Sequence, residues 1–257
     1  MQGDIDMLEL LSPTFDGEKF PLPTPTFCPD CRLQRKLVFR NDKKLYRRTC
    51  DFSGKEIISM YSPESPMTVY DHHIRHSDKR DPLEYGREPD FSQSFFLQYQ
   101  ELYRKVPQSS LINEMCHNSE YCQHAANMKD CYLVHGSANC ENCYYGYRIV
   151  DGEHVYDSTR VNRSRQIFQS VDIDDSTMLW YCQSCKNCSL SWYLYACDNC
   201  SNCLCCVNLH NASYCIENKQ YTKEEYQELF PQKLKEMTAE KFSSFCLAFP
   251  RKDIDIV

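Results

Sequence analysis

The sequence predicts a mostly β protein: an N-terminal zinc-ribbon-like module, a linking helix, then a parallel β-solenoid with 12-residue repeats and a C-terminal helical cap. Three observations carry that expectation. Residue types recur in register every 12 positions from Cys131 onward. A C-x2-C pair, Cys28 and Cys31, precedes a basic, strand-like stretch. An amphipathic pattern at 92–105 separates the two regions.

Steps of 12 from Cys131 give Cys131, Cys143, Val155, Ile167, Leu179, Ser191, Cys203 and Cys215. The following position gives Tyr132, Tyr144, Tyr156, Phe168, Trp180, Trp192, Leu204 and Ile216. Four positions before the first column stand Asn127, Asn139, Asp151, Arg163, Asp175, Asn187, Asn199 and Asn211. Asn and Asp hold tight turns because their side chains bond nearby backbone and they tolerate left-handed geometry. A turn and a strand repeated without insertion mark a solenoid. Small residues such as Gly146, Ser158, Ser170 and Cys182 fall at three-residue spacing between larger ones. That implies a narrow tube, since a coil of twice the length would need Leu and Phe to fill it at native density. One coil per 12 residues, with two short strands each, therefore covers 118–218. The aromatic column then forms one ladder with rungs ~4.8 Å apart. It is expected either to pack beneath a helix of the same chain or to face a partner.

The remaining elements follow from punctuation and periodicity. Pro13, Pro21, Pro23 and Pro25 make 1–26 an irregular segment. Residues 27–91 hold the ribbon-like module and a loop, with strands at 37–40 and 44–47 about a turn at 41–43, and a third strand at 57–61. A linking helix opens the 92–117 segment, with Ser92 as N-cap and Phe95, Phe96, Tyr99, Leu102 and Tyr103 as its apolar stripe. In 219–257, Thr222 and Glu225 form a capping box opening a helix over 222–246, which Pro231 interrupts or restarts.

Cys50 follows Cys31 across the expected hairpin, at the spacing of a zinc ribbon. The second knuckle offers one thiolate, so the fourth ligand falls to His73 or His72, with His76 ranked behind them. A closed Cys3His site for Zn2+ would be structural. The same stretch is basic. Arg32, Arg35, Lys36, Arg40, Lys43, Lys44, Arg47 and Arg48 stand against Asp30 and Asp42, which makes 28–50 net +6 and leaves −13 of the overall −7 elsewhere. A basic module on an acidic body implies contact with nucleic acid or a ribosome through 28–50.

Several function classes are excluded. The chain has 7 glycines, no two closer than six residues, so no glycine-rich phosphate loop can be written. There is no H-E-x-x-H, G-x-S-x-G or EF-hand pattern. The acidic start and the lack of a long apolar run give neither a secretory signal nor a membrane span. A cytoplasmic location is expected, with the 18 cysteines reduced and serving as metal ligands or small core residues.

The columns resemble the 12-residue, disulfide-bonded β-helices of insect antifreeze proteins, whose interior positions have the same three-residue spacing. The pairs that would be bridged there are Cys131 with Ser137, Leu179 with Cys185, Ser191 with Cys197 and Cys203 with Leu209; none has two cysteines. The aromatic column replaces their ice-binding threonines, which disfavours ice binding. The order of the pieces also resembles uncharacterised cysteine-rich proteins of candidate phyla radiation bacteria. The matching stretches include CPDCRLQRKLVFRNDKKLYRRTC, GKEIISMYSP, NCENCYYG and NCSLSWYLYACDNCSNCLCCVNL. That resemblance implies cysteines at the positions of Ser53, Asp71 and Ile74, where this chain departs, and it implies no enzymatic activity.

The expected function is a non-enzymatic binding or scaffold protein, with a protein partner or self-association on the solenoid. One alternative is a β-helix enzyme acting on carbohydrate or acyl substrates. Its best cluster is Asp172, Asp174 and Asp175 with Arg160, Arg163 and Arg165 one coil away. The other is a thiol-based metal-handling protein built on Cys182, Cys185, Cys188, Cys197, Cys200, Cys203, Cys205 and Cys206.

Overall fold

The computed structural model describes residues 2–37, 41 and 43–239. The chain divides into two compact units, 1–41 and 42–257. Arg40, Asp42 and residues 240–246 of the expected cap lie outside the described residues.

The first unit corrects two expectations. Residues 1–26 are not wholly irregular: α1 spans Gln2–Leu11, and β1 (Thr14–Phe15) pairs antiparallel with β2 (Glu18–Lys19). The prolines punctuate the segment only after Ser12. The stretch read as leading into a ribbon hairpin is α2, Pro29–Leu37. Its physical signals are helical. Pro29 occupies the first turn, where its missing N–H costs nothing, Asp30 stands beside it, and Arg35 and Lys36 lie in the last turn. Leu, Gln, Arg and Lys between them are good helix formers.

The second unit opens with a small β module. β3 (Tyr46–Thr49) pairs antiparallel with β4 (Glu56–Ser59), while residues 38–40 of the expected strand at 37–40 lie outside the described residues. β5 (Val69–Tyr70) and β6 (Gln108–Ser109) pair in parallel. Cys50, Ile57, Met67 and Val69 form its core. Between β5 and β6 lie α3 (Phe95–Lys105) and short 3-10 turns at His72–His76 and Pro82–Tyr85. The N-cap of α3 is Ser94, while Ser92 instead donates to Asp90.

The solenoid runs over 113–216 in about nine turns, starting five residues before the expected 118. The short coil holds. Val155 is in register with Ile167, Ile167 with Leu179, and Leu179 with Ser191. The ladder residues pair the same way, Tyr132 with Tyr144 and Tyr144 with Tyr156. Every third side chain points inward, so each coil has four interior positions, such as Val155, Ser158, Val161 and Ser164. Volume is balanced within a coil. Ile149 reaches across its tube between Gly146 and Gly152, where an added Cβ would meet Ile149 atoms at 2.2 and 2.4 Å.

Serine is chosen for more than size. Ser170 Oγ donates to Phe168 O at 2.9 Å and accepts the Cys182 N–H, one coil on, at 3.0 Å. Ser119, Ser137, Ser158, Ser164, Ser176 and Ser191 repeat both bonds. Cysteines do the same with sulfur. Cys122 Sγ donates to Cys131 O, and the Val134 N–H, again twelve residues on, points at it. Buried backbone groups are thereby satisfied at coil positions that the sheet ladder leaves open.

Between the interior positions the chain turns in left-handed conformation at every third residue. Asn139, Asn142, Tyr145, Arg148 and Asp151 have φ of 52–55°. The expected Asn/Asp column is one of four such columns; the others carry Arg160, Met178, Leu190 and Tyr193. Each such residue stores about 1–2 kcal/mol, which the inter-coil bonds must overcome.

Both solenoid ends are covered. At the first coil, buried Gln123 bonds the Ile112 N–H at 3.1 Å and reaches Met60 Sδ at 2.9 Å, joining the small module to the tube. At the last, Lys219–Gln220 turns back antiparallel and α4 (Lys223–Ala239) packs over Leu204 and Ile216. The capping box forms as expected, Thr222 N–H to Glu225 at 2.8 Å and Glu225 N–H to Thr222 Oγ1 at 3.3 Å. The helix runs through Pro231.

Ser170→Ala tests the interior pairing. It leaves the Cys182 N–H and the Phe168 carbonyl without that partner, so urea unfolding should show a loss of about 1–3 kcal/mol. Ser170→Cys should retain most of the stability. An alanine variant as stable as the parent would contradict the role given to the hydroxyl.

Candidate functional site

The narrow tube decides what the surface carries. Two of every three solenoid side chains point outward, so large residues at those positions have no core to enter. The expected ladder therefore lies on the outside, along one side of the tube. Beside it runs a second aromatic column that the sequence reading missed: Tyr121, Tyr145, Tyr181 and Tyr193. Its signal was the position after each rung, where Leu133, Asp157 and Gln169 interrupt the aromatics. The rings of the two columns interleave. Tyr121 meets Tyr132 at 5.3 Å between centroids, Tyr132 meets Tyr145 at 5.8 Å, and Tyr145 meets Tyr156 at 5.4 Å. Contact continues from Tyr156 to Phe168 at 5.6 Å and from Phe168 to Tyr181 at 5.4 Å. Trp180 stacks on Trp192 at 4.5 Å, and Tyr181 on Tyr193 at 4.7 Å.

The strip is covered unevenly. Its C-terminal end lies under α4, where Tyr226, Leu229, Phe230 and Met237 gather over Leu204, Ile216, Trp192 and Tyr193. Cys205, one of the cysteines of the expected metal-handling set, is half-buried there with its sulfur 3.3 Å from Met237 Sδ. Toward the N-terminal end, Tyr132, Tyr144, Tyr145 and Tyr156 keep 38–46% of their surface exposed. The expectation that a helix of the same chain covers the ladder holds for the last rungs alone.

The other faces carry side-chain ladders between coils, interspersed with exposed apolar residues such as Val150, Leu190 and Val207. Asn127 donates to Asn139 and Asn139 to Asp151, and Asn199 donates to Asn211. The carboxylates considered for catalysis are held by arginines one coil below. Arg160 pairs with Asp172, and Arg163 with Asp174 at 2.9 Å and Asp175 at 2.5 Å. The Arg163 guanidinium holds the Asp175 carboxyl below its ordinary range. Arg165 turns the other way, to Glu153 at 3.0 Å. An open groove of about 350 Å³ runs along this side, lined by Asn139, Glu141, Asp151, Glu153, Lys129 and Arg165.

The basic run is divided between the two units. Arg32, Arg35 and Lys36 lie exposed on α2 of the first unit. In the second unit, Lys43 sits over the Tyr147 ring and Lys44 over Tyr46. Arg47 pairs with Glu56 at 3.0 Å. Arg48 is turned inward, its side chain 7% exposed, and donates to Asp51 and to the carbonyls of Ser62 and Met67. It holds the small module together.

The expected metal ligands are placed as follows. Cys28 and Cys31 stand exposed at the start of α2, and the Cys31 N–H donates to Cys28 Sγ at 3.4 Å, which lowers that thiol's pKa. Cys50 is buried in the second unit, and it accepts the N–H groups of Ser53 at 3.5 Å and Asp71 at 3.3 Å. Ile74 packs against that core. His72 and His73 stack at 4.0 Å between ring centroids. With Asp71 they are the one set of three or more ligating groups, among the described residues, whose donor atoms lie within 4.8 Å of one another. The His76 side chain lies outside the described residues. The solenoid cysteines do not converge in this way. Each interior thiol instead donates to a carbonyl of its own coil, as Cys182 does to Trp180 O at 3.3 Å and Cys188 to Lys186 O at 3.2 Å.

No protein-family model matches the sequence, and no curated protein shows significant similarity to it. Among the described residues, no helix is long and apolar enough to cross a membrane.

The buried thiols make stability fall at alkaline pH. Burial pushes Cys122 up to about 12 and Cys197 up to about 11. In the unfolded chain a thiol releases its proton near pH ~8.5. Above that the unfolded state holds fewer protons than the folded one, so stability declines. The stabilisation is complete below about pH 8.5 and is lost progressively toward pH 11–12. Urea midpoints across that window should drop, and Cys197→Ser should reduce the slope. A flat profile would contradict the buried, protonated core.

Proposed function

We propose that this chain is a binding scaffold: a rigid solenoid that presents an aromatic strip as a recognition surface for another polypeptide. The observation that carries the reading is the unbroken ring-to-ring contact from Tyr121 to Tyr193, with four tyrosines half-exposed at one end. Soluble chains rarely expose contiguous apolar patches beyond a few hundred Å², and larger ones mark interaction sites. The residue choice supports the same reading. The covered rungs are Trp, Leu and Ile, and the exposed rungs are Tyr, which gives large rigid contact area with a polar tip at low entropic cost. The amide and ion-pair ladders of the other faces are already engaged with themselves.

A photo-crosslinking residue placed at Tyr145 in native cells tests this. A discrete adduct is expected, one that disappears when Tyr132 and Tyr156 are changed to Ser. The same group placed at Asn199, on the polar side, should give none. Equal adducts from both positions, or none from either, would contradict the reading.

A second reading concerns the first unit. The exposed Arg32, Arg35 and Lys36 along α2 support contact with nucleic acid or a ribosome, and the N–H···S bond at Cys28 supports thiolate chemistry, Zn2+ included, at the Cys28–Cys31 turn. Phosphate contacts dominate such binding, so RNA or DNA affinity should fall steeply between about 50 and 200 mM salt. Equal affinity at both concentrations would contradict it.

A further inference from the structure

The strip raises the question of what sits on it, and the molecule contains one worked example. At the C-terminal rungs the occupant is a helix: α4 lays Tyr226, Leu229, Phe230 and Met237 across Leu204, Ile216 and the neighbouring rings. The chain has a second helix of the same kind. α3 carries Phe95, Phe96, Tyr99 and Tyr103 on adjoining positions of one side, with the Phe95 ring in contact with Phe96 at 5.6 Å and with Tyr99 at 6.3 Å.

That helix is oriented against ordinary burial. Its polar side is the one held by the chain. Arg87 bonds Glu101 at 3.0 Å and also the Gln98 carbonyl, while the Gln98 amide bonds Asp90 O at 2.8 Å. Its apolar side faces solvent, with Phe95 66%, Phe96 78%, Leu97 61% and Tyr99 56% exposed. Leu102 is half-buried, and Tyr103, still 47% exposed, reaches Tyr61. A loop that pins the polar face leaves the aromatic face free for a contact outside the monomer.

Resting on the scaffold reading above, we infer that the occupant of the exposed rungs is α3 of a second copy of this chain, in a reciprocal two-fold dimer. Each copy gives its α3 to the other's strip around Tyr132, Tyr144, Tyr145 and Tyr156. Charge fits the pairing. α3 ends in the exposed cations Arg104 and Lys105, and the exposed rungs are bordered by exposed Glu120 and Asp157. Area fits as well. Taking ~200 Å² per aromatic side chain, one helix-on-strip contact removes on the order of 900 Å² from water. Two such contacts give roughly 1,800 Å², within the ~1,200–2,000 Å² of stable interfaces. A two-fold arrangement makes both contacts identical and closes the assembly.

Sedimentation of the purified chain across a concentration series tests this. A dimer is expected. Phe96→Glu, on the helix, and Tyr145→Glu, on the strip, should each give monomers that keep the parent circular dichroism spectrum, because both side chains are exposed in the monomer. Mixing the two variants is the decisive step. One of the two contacts then joins an intact helix to an intact strip, so a heterodimer should reappear, weaker than the parent dimer. Three results would overturn the inference: a parent chain that stays monomeric, a dimer indifferent to both substitutions, or loss of dimer in each variant with no recovery on mixing, which would place like surfaces together, strip on strip and helix on helix. A monomeric chain that still forms the Tyr145 adduct in cells would leave the scaffold reading standing with another partner. A monomer with no adduct would remove both.

Discussion

The structure depends on one hydrogen bond, repeated. At interior positions of the coil, a buried backbone N–H points into the tube and donates to the side chain twelve places earlier. Ser170 serves Cys182, Ser176 serves Cys188, and Ser119 serves Cys131. An unmade bond of this kind would cost about 1–3 kcal/mol. Over many coils that would exceed the 5–15 kcal/mol by which a domain is typically stable. The interior positions that serve such an N–H are therefore given to side chains that are small and carry a short donor-acceptor group, serine and cysteine, while the others are filled by branched apolar residues such as Ile149, Val155 and Val161. That accounts for the cysteines of the solenoid interior, such as Cys182, Cys188 and Cys197, which are buried there as thiols.

The same constraint shapes the surface. A tube that accepts four small or branched side chains per coil cannot take in tyrosine or tryptophan. The aromatic residues that stabilise a globular core elsewhere are displaced outward and stabilise the register by stacking, at about 0.5–1.5 kcal/mol per pair beyond area burial. An external core of this kind needs cover. α4 supplies it for the last rungs, and the exposed tyrosines are what remains. The recognition surface is a consequence of a core too thin to hold its own aromatics.

The repeat was legible in the sequence because it is a matter of spacing. The columns at Val155, Ile167 and Leu179 and at Tyr132, Tyr144 and Tyr156 fall into observed register as expected. The capping box at Thr222 was legible because its chemistry is local. Other features were not, for reasons that lie in the physics. Arg160, Met178 and Leu190 carry no sign of left-handed geometry, since the fold imposes it against their preference. The helix at 29–37 was missed because the Cys28–Cys31 pair read as the knuckle of a zinc ribbon, while Pro29, Asp30 and the terminal cations marked a helix. Arg48 counted as one more cation in a basic run, and only the fold shows that its guanidinium is spent on Asp51 and two buried carbonyls. The second aromatic column escaped notice because Asp157 and Gln169 break it, although its rings bridge the first column in space.

Amide hydrogen exchange, resolved residue by residue, tests the central claim most directly. The N–H groups of Cys131, Ile149, Ser170, Cys182, Cys188 and Cys203 all donate to a serine oxygen of the preceding coil. They should exchange last and together, with a protection free energy close to that of global unfolding. Rapid exchange at these amides, or protection no greater than that of α3, would show that the interior bonds do not hold the tube and would contradict the account.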